Sequence, residues 1–219
     1  MGAGQIDFEA RCNHSAKMKR PLRLGVLGSG KGSNFRAIME QIIDGRLDAE
    51  VRIVISDVDN AGILSLARDF QIPSLYVRPG RFRTRLEPEI EEDIVRLLLQ
   101  ADVELVLLAG FMRIVKQPLL KAFPRKIINI HPSLLPKFPG LEAWKQALAA
   151  GEKVTGCTVH YVDAAVDAGE ILGQEIVPIL PADTSESLHA RIQSSEHVLL
   201  PAVIARIAEG FHGPASACS

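Results

Sequence analysis

The chain has 219 residues, 47% hydrophobic and 23% charged, a balance suited to one well-buried globular core. Lys and Arg number 25 against 26 Asp and Glu, a net charge of −1, which argues against nucleic-acid phosphates as partners. The longest apolar run, Leu105–Met112, falls far short of the roughly 18 residues a membrane span needs, and the odd, scattered Cys12, Cys157 and Cys218 suit a reducing cytoplasm better than disulfides or zinc.

Residues 1–20 hold no sustained apolar segment, so no signal peptide is expected. Met1-Gly2 opens like a myristoylation site, but Ile6 stands where Ser or Thr is required. They read as a tail, disordered or left over from expression. Residues 212–219 read as a second loose tail, and 21–211 as a single domain with no internal repeat or linker.

Between the tails, strand and helix patterns alternate. Leu22–Leu27 reads as a strand running into glycines, and Ser33–Ile43 as a helix with Phe35, Ile38 and Ile42 on one stripe. Glu50–Ser56 alternates and is β-branched, hence a strand. A helix over Ile63–Phe70, a short strand over Pro73–Val77 and an amphipathic helix over Arg85–Gln100 follow. Glu104–Ala109 is apolar enough for a strand buried on both faces. Then come a strand at Ile127–Ile130, a proline-rich loop, a helix over 141–150, and strands near 154–162 and 170–179. Asp183-x-x-Glu186 resembles a capping box opening a helix to about Glu209. This alternation predicts an α/β fold, doubly wound and Rossmann-like, with a mostly parallel sheet and antiparallel late strands.

The first strand empties into Gly28-Ser29-Gly30-Lys31-Gly32-Ser33-Asn34. The dinucleotide pattern fails because Ser33 occupies its third glycine position, and no acid takes the usual ribose position, although Asp57 comes close. The P-loop pattern fails at Gly32, where a hydroxyl belongs. Glycines that admit an anion to a helix N-terminus remain, and they favour phosphate binding over a plain turn with Ser33 as N-cap. Asn129 and His131 share a strand face at a carboxyl end, where ligands of open α/β sheets sit. The pair reads equally as catalytic groups or as an ordinary His-Pro turn. Asp167, in a loop between late strands, would hold His131 charged and oriented if brought near it; otherwise it is a solvated acid. His160 and Thr158 share one strand face, to line the same pocket or simply to pack. Trp144 reads as cover for a helix face, and Asp163 and Glu170 as surface charges.

Taken together, GSGKGSN at 28–34, LLAGFMRIV at 107–115, NIHPSLLPKFPG at 129–140, TGCTVHYVDAAVDAGEIL at 155–172 and QSSEHVLLP at 193–201 resemble the phosphoribosylglycinamide formyltransferases. That resemblance covers nearly everything between the tails. It implies transfer of a formyl group from 10-formyltetrahydrofolate, the co-substrate, to the amine of glycinamide ribonucleotide, without a metal, in cytoplasmic purine biosynthesis. It implies Asn129, His131 and Asp167 as the catalytic trio. Gly30, Gly32, Ser33, Asn34, Phe35 and Glu196 would hold the ribonucleotide. Arg85, Met112, Arg113, Ile114, Val115 and Asn129 would meet the folate, with Arg85 placed only by a one-residue gap. Lys31 stands where asparagine is common, Ala168 replaces a glycine and the C-terminal tail is short. The alternatives are a formyltetrahydrofolate deformylase-like hydrolase or a non-catalytic nucleotide-binding homologue. Partners would be these small molecules, not nucleic acid or membrane, with the chain a monomer or homodimer.

Overall fold

The computed structural model describes residues 20–211; the two expected tails, Arg20 apart, lie outside the described residues. Around β1 (Leu22–Leu27) run β2 (Ala49–Ser56) on one side and β4 (Leu105–Leu108) on the other, all parallel. Beyond β2 lies β3 (Ser74–Tyr76) and beyond β4 lies β5 (Ile127–His131), again parallel. Then β6 (Val154–Tyr161) and β7 (Ile171–Pro178) join antiparallel, giving one sheet in the order β3-β2-β1-β4-β5-β6-β7. The chain runs outward from β1 to β3 and then returns to place β4 on the other side of β1. Such a reversal opens a crevice beyond the carboxyl ends of the strands, the usual ligand site of this architecture.

Apolar residues split between the two faces. Leu22, Leu24 and Val26 of β1 join the cluster under α1 (Ser33–Ile43), α2 (Gly62–Asp69), α5 (Ala143–Ala149) and α6 (Ser185–Phe211). Leu27 belongs to the opposite cluster, with Val106 and Leu108 under α3 (Pro88–Gln100) and α4 (Gln117–Ala122). β4 is buried at every position, as its unbroken apolar run predicts. No helix among the described residues is long and apolar enough to cross a membrane.

The structure departs from the sequence reading at four places. The helix predicted from Arg85 starts at Pro88, with Glu87 extended before it. Proline suits the first helical turn but keeps its predecessor out of helical geometry. The cap of α6 is Thr184, whose hydroxyl accepts the Ser187 N–H at 3.2 Å while the Ser187 hydroxyl accepts the Thr184 N–H at 3.0 Å. Asp183 instead pairs with Arg191 at 2.7 Å, and that guanidinium together with the Leu180 N–H holds its carboxyl well below the usual range. The six-residue α4 was not predicted, because one and a half turns carry too little periodicity to register. Arg20, grouped with the tail, forks onto Glu104 with two bonds of 2.7 Å.

Candidate active site

The last residue of β5 is His131, with Asn129 two places earlier on the same face. Ile127 on that face belongs to the cluster under α3 and α4, while Ile128 and Ile130 turn to the other. Cross-strand pairing sets His160 beside Asn129 and Thr158 beside His131. The loop 162–170 leaves β6 near the far end of β5 and doubles back along this face. It delivers Asp167 in left-handed geometry (φ 52°). Asp167 Oδ2 accepts the Gly140 N–H at 2.8 Å and lies 3.5 Å from His131 Nδ1. His131 Nε2 donates to the Phe138 carbonyl at 2.9 Å. With that proton engaged, Nδ1 is the nitrogen left to face Asp167 and any reacting atom.

A second histidine fixes Asn129. His160 Nδ1 donates to the Tyr161 carbonyl at 2.8 Å, so its Nε2 is free to accept the Asn129 amide at 3.2 Å. Burial lowers the His160 pKa, against the opposing pull of Asp167. The ring is therefore neutral, and its 3.7 Å approach to Asp167 Oδ1 is not an ion pair. Asn129 keeps one N–H and its carbonyl for a ligand. Thr158 ties down the loop after His131, where its hydroxyl donates to the Ser133 carbonyl at 2.6 Å and accepts the Leu135 N–H at 3.1 Å.

The glycine turn follows β1. Gly32, not Ser33, is the N-cap of α1; its φ of 83° is left-handed and no side chain caps the helix. A Cβ at Gly32 would also come within 2.9 Å of Ile63, so both conformation and space demand glycine. The uncapped first turn leaves amide groups for an anion. Two residues on, within the first turn, Asn34 donates its amide to Glu196 Oε2 at 2.8 Å, joining α1 to α6. Asn34 Oδ1 is buried with no protein partner. Burial pushes the Glu196 carboxyl up to about 7, the Asn34 bond opposing only in part. A buried acid and an unpaired amide oxygen suit a ligand that donates hydrogen bonds or carries positive charge.

Residues 22–204 match the formyl transferase family. The chain belongs to that family. It is 41% identical over 185 residues to the phosphoribosylglycinamide formyltransferase of Bacillus subtilis, covering 84% of this chain and 94% of that protein. It is 45% identical over 208 residues to a trifunctional purine biosynthetic protein adenosine-3 of Drosophila pseudoobscura pseudoobscura. That alignment takes in 93% of this chain but spans only 15% of the fly protein's length. Among solved structures, glycinamide ribonucleotide transformylase 1 from Symbiobacterium toebii superposes with a TM-score of 0.83 at 46% identity, covering 87% of this chain and 89% of that one. The doubly wound sheet with antiparallel late strands is thus a formyl transferase fold.

In this member of the family the other expected site residues are placed unevenly. Met112 is exposed and Ile114 half-buried, whereas the Val115 side chain is in the core and leaves only backbone for a ligand. The Phe35 ring is likewise fully buried, edge-on to Phe70, so only its amide remains available. Arg113 turns inward onto Asp57 at 2.6 Å, which withdraws its charge from the cleft. Arg85 pairs with Ile114 through a parallel bridge and lies over the Phe82 ring at 4.2 Å, alongside the expected folate segment. The structural parts of His160 and Asp57 were not legible in the sequence. The i, i−2 relation of His160 to Thr158 signalled only a shared face. Ala168 is not strained, because the left-handed residue of that loop is Asp167 itself. Among the described residues no group of three or more His, Cys, Asp or Glu is placed to hold a metal ion.

Proposed function

We propose that the chain transfers the formyl group of 10-formyltetrahydrofolate to the amine of glycinamide ribonucleotide. The single observation that carries this reading is the convergence of Asn129, His131 and Asp167 at the carboxyl end of β5. The ribonucleotide phosphate takes the uncapped first turn of α1, at Gly30, Gly32, Ser33, Asn34 and the Phe35 amide, and the glycinamide end approaches Glu196. The folate lies along 112–115 with Asn129 at its reacting end and Arg85 beside it.

The amine nitrogen attacks the formyl carbon, and negative charge develops on the formyl oxygen. The free Asn129 N–H and His131 Nδ1–H stabilise that charge, and being held beforehand they need little reorganisation. Asp167, 3.5 Å from Nδ1, orients the ring and supplies a countercharge to the proton presented there. As the carbon–nitrogen bond to folate breaks, the proton lost by the amine passes to the leaving nitrogen. One cleft holding both substrates adds the advantage of orientation. The reading places this chemistry in one domain over 21–211, in the cytoplasm.

The test is a turnover assay with both substrates, following formylglycinamide ribonucleotide and tetrahydrofolate. Equal release of both products supports transfer. Consumption of 10-formyltetrahydrofolate at the same rate without ribonucleotide would assign a hydrolase instead.

A further inference from the structure

Asp57, at the carboxyl end of β2, is only 5% exposed and is not one of the groups assigned to either substrate. Its carboxylate closes a circuit between three loops. Oδ1 accepts the Ser29 hydroxyl of the glycine turn, and Oδ2 takes Arg113 Nε at 2.6 Å. Ser29 Oγ in turn accepts the Met112 N–H at 2.9 Å, and the Ser29 N–H donates to the Gly110 carbonyl at 3.0 Å. Arg113 continues the chain, donating to the carbonyls of Phe82, at 2.9 Å, and Arg83. The Ile114 N–H meets the Thr84 carbonyl at 2.9 Å. One buried carboxylate thus links the segments 110–114 and 82–85 to the glycine turn, alongside their own backbone bonds.

We propose that Asp57 is a positioning residue for the folate wall: it holds 110–114 and 82–85 in place through Ser29 and Arg113. This rests on the reading above that the folate lies along 112–115. An anion alone satisfies both neighbours, since it accepts from the hydroxyl and neutralises the guanidinium, whereas an amide offers one acceptor and no charge. The phosphate end of the site depends on Asp57 much less. It is built on the backbone of Gly32 and the start of α1, and the turn has a tie outside the circuit, the Ile63 N–H donating to the Gly30 carbonyl at 3.0 Å.

The test measures equilibrium binding of 10-formyltetrahydrofolate and of glycinamide ribonucleotide, separately, to wild type, Asp57→Asn and Ser29→Ala. Steady-state turnover of the same proteins is followed in parallel. For Asp57→Asn the folate Kd is expected to rise about tenfold or more, the scale of a small misplacement of a binding wall. The ribonucleotide Kd should change less than about threefold, with kcat at saturation falling by a smaller factor than kcat/KM for folate. Ser29→Ala keeps the Asp57–Arg113 pair, so it should show the same split in weaker form, and it serves if Asp57→Asn does not fold. Equal weakening of both substrates, or no change in either, in folded variants would overturn the role of Asp57. A wild-type protein that binds neither substrate would overturn the functional reading first, and this inference with it.

Discussion

Replacing Glu196 with glutamine is expected to make the protein more stable and a poorer enzyme, both effects arising from one buried carboxyl. Its ordinary pKa is 4.5 and burial raises it to about 7. Between those values the folded state holds a proton that the unfolded chain has released, so stability falls as pH rises from about 4.5 to about 7 and stays low above. The gap between the two values corresponds to about 3 kcal/mol at alkaline pH. Glutamine has nearly the same shape and can still accept the Asn34 amide at Oε1, without a charge to bury. At roughly 2–4 °C per kcal/mol for a domain of this size, Glu196→Gln should melt about 6–12 °C higher than wild type at pH 8. The difference should vanish well below pH 4.5, where Glu196 is protonated in both the folded and the unfolded wild type. Thermal unfolding followed by circular dichroism across pH gives both numbers, and calorimetry gives the ribonucleotide affinity, expected to fall. Equal melting temperatures at pH 8 would refute the argument, for Glu196 would then carry no burial penalty to relieve.

His131→Ala should lower kcat by about 100-fold or more with little change in ribonucleotide Kd, checked by tetrahydrofolate release and calorimetry. Gly32→Val forces a β-branched residue into left-handed geometry against Ile63, so ribonucleotide affinity should drop by about tenfold or more with folate affinity nearly intact. In Gly169→Ala the new methyl would collide with the Tyr161 carbonyl oxygen, so the loop must move. That variant should lose turnover by shifting Asp167, together with about 1–3 kcal/mol of stability, measured by kcat and denaturant unfolding.

Strand and helix positions were read from the sequence nearly to the residue where periodicity was strong, as in β1 and α1. They failed where local chemistry overrides periodicity. Pro88 fixed the start of α3, and Thr184 with Ser187 displaced the acid-led cap expected for α6. In the site, Asn129 and His131 were legible as a pair because strand geometry puts alternate residues on one face. The approach of Asp167 could not be derived from spacing. The loop 162–170 folds back over the sheet, and only the resemblance to known formyltransferases suggested its destination. The inward turn of Arg113 was equally hidden, since its partner Asp57 lies 56 positions away.

The order in which the groups of the candidate site leave the ribosome follows from where they lie along the chain. The glycine turn and Asn129–His131 belong to the parallel strands, which are made first. The acid beside His131 comes with the β6–β7 hairpin, and the acid beside Asn34 only with α6, 162 positions after its partner. A nascent chain halted before residue 163 therefore carries the glycine turn and His131 without Asp167 or Glu196, and on the proposed function formyl transfer has to wait until both acids are made.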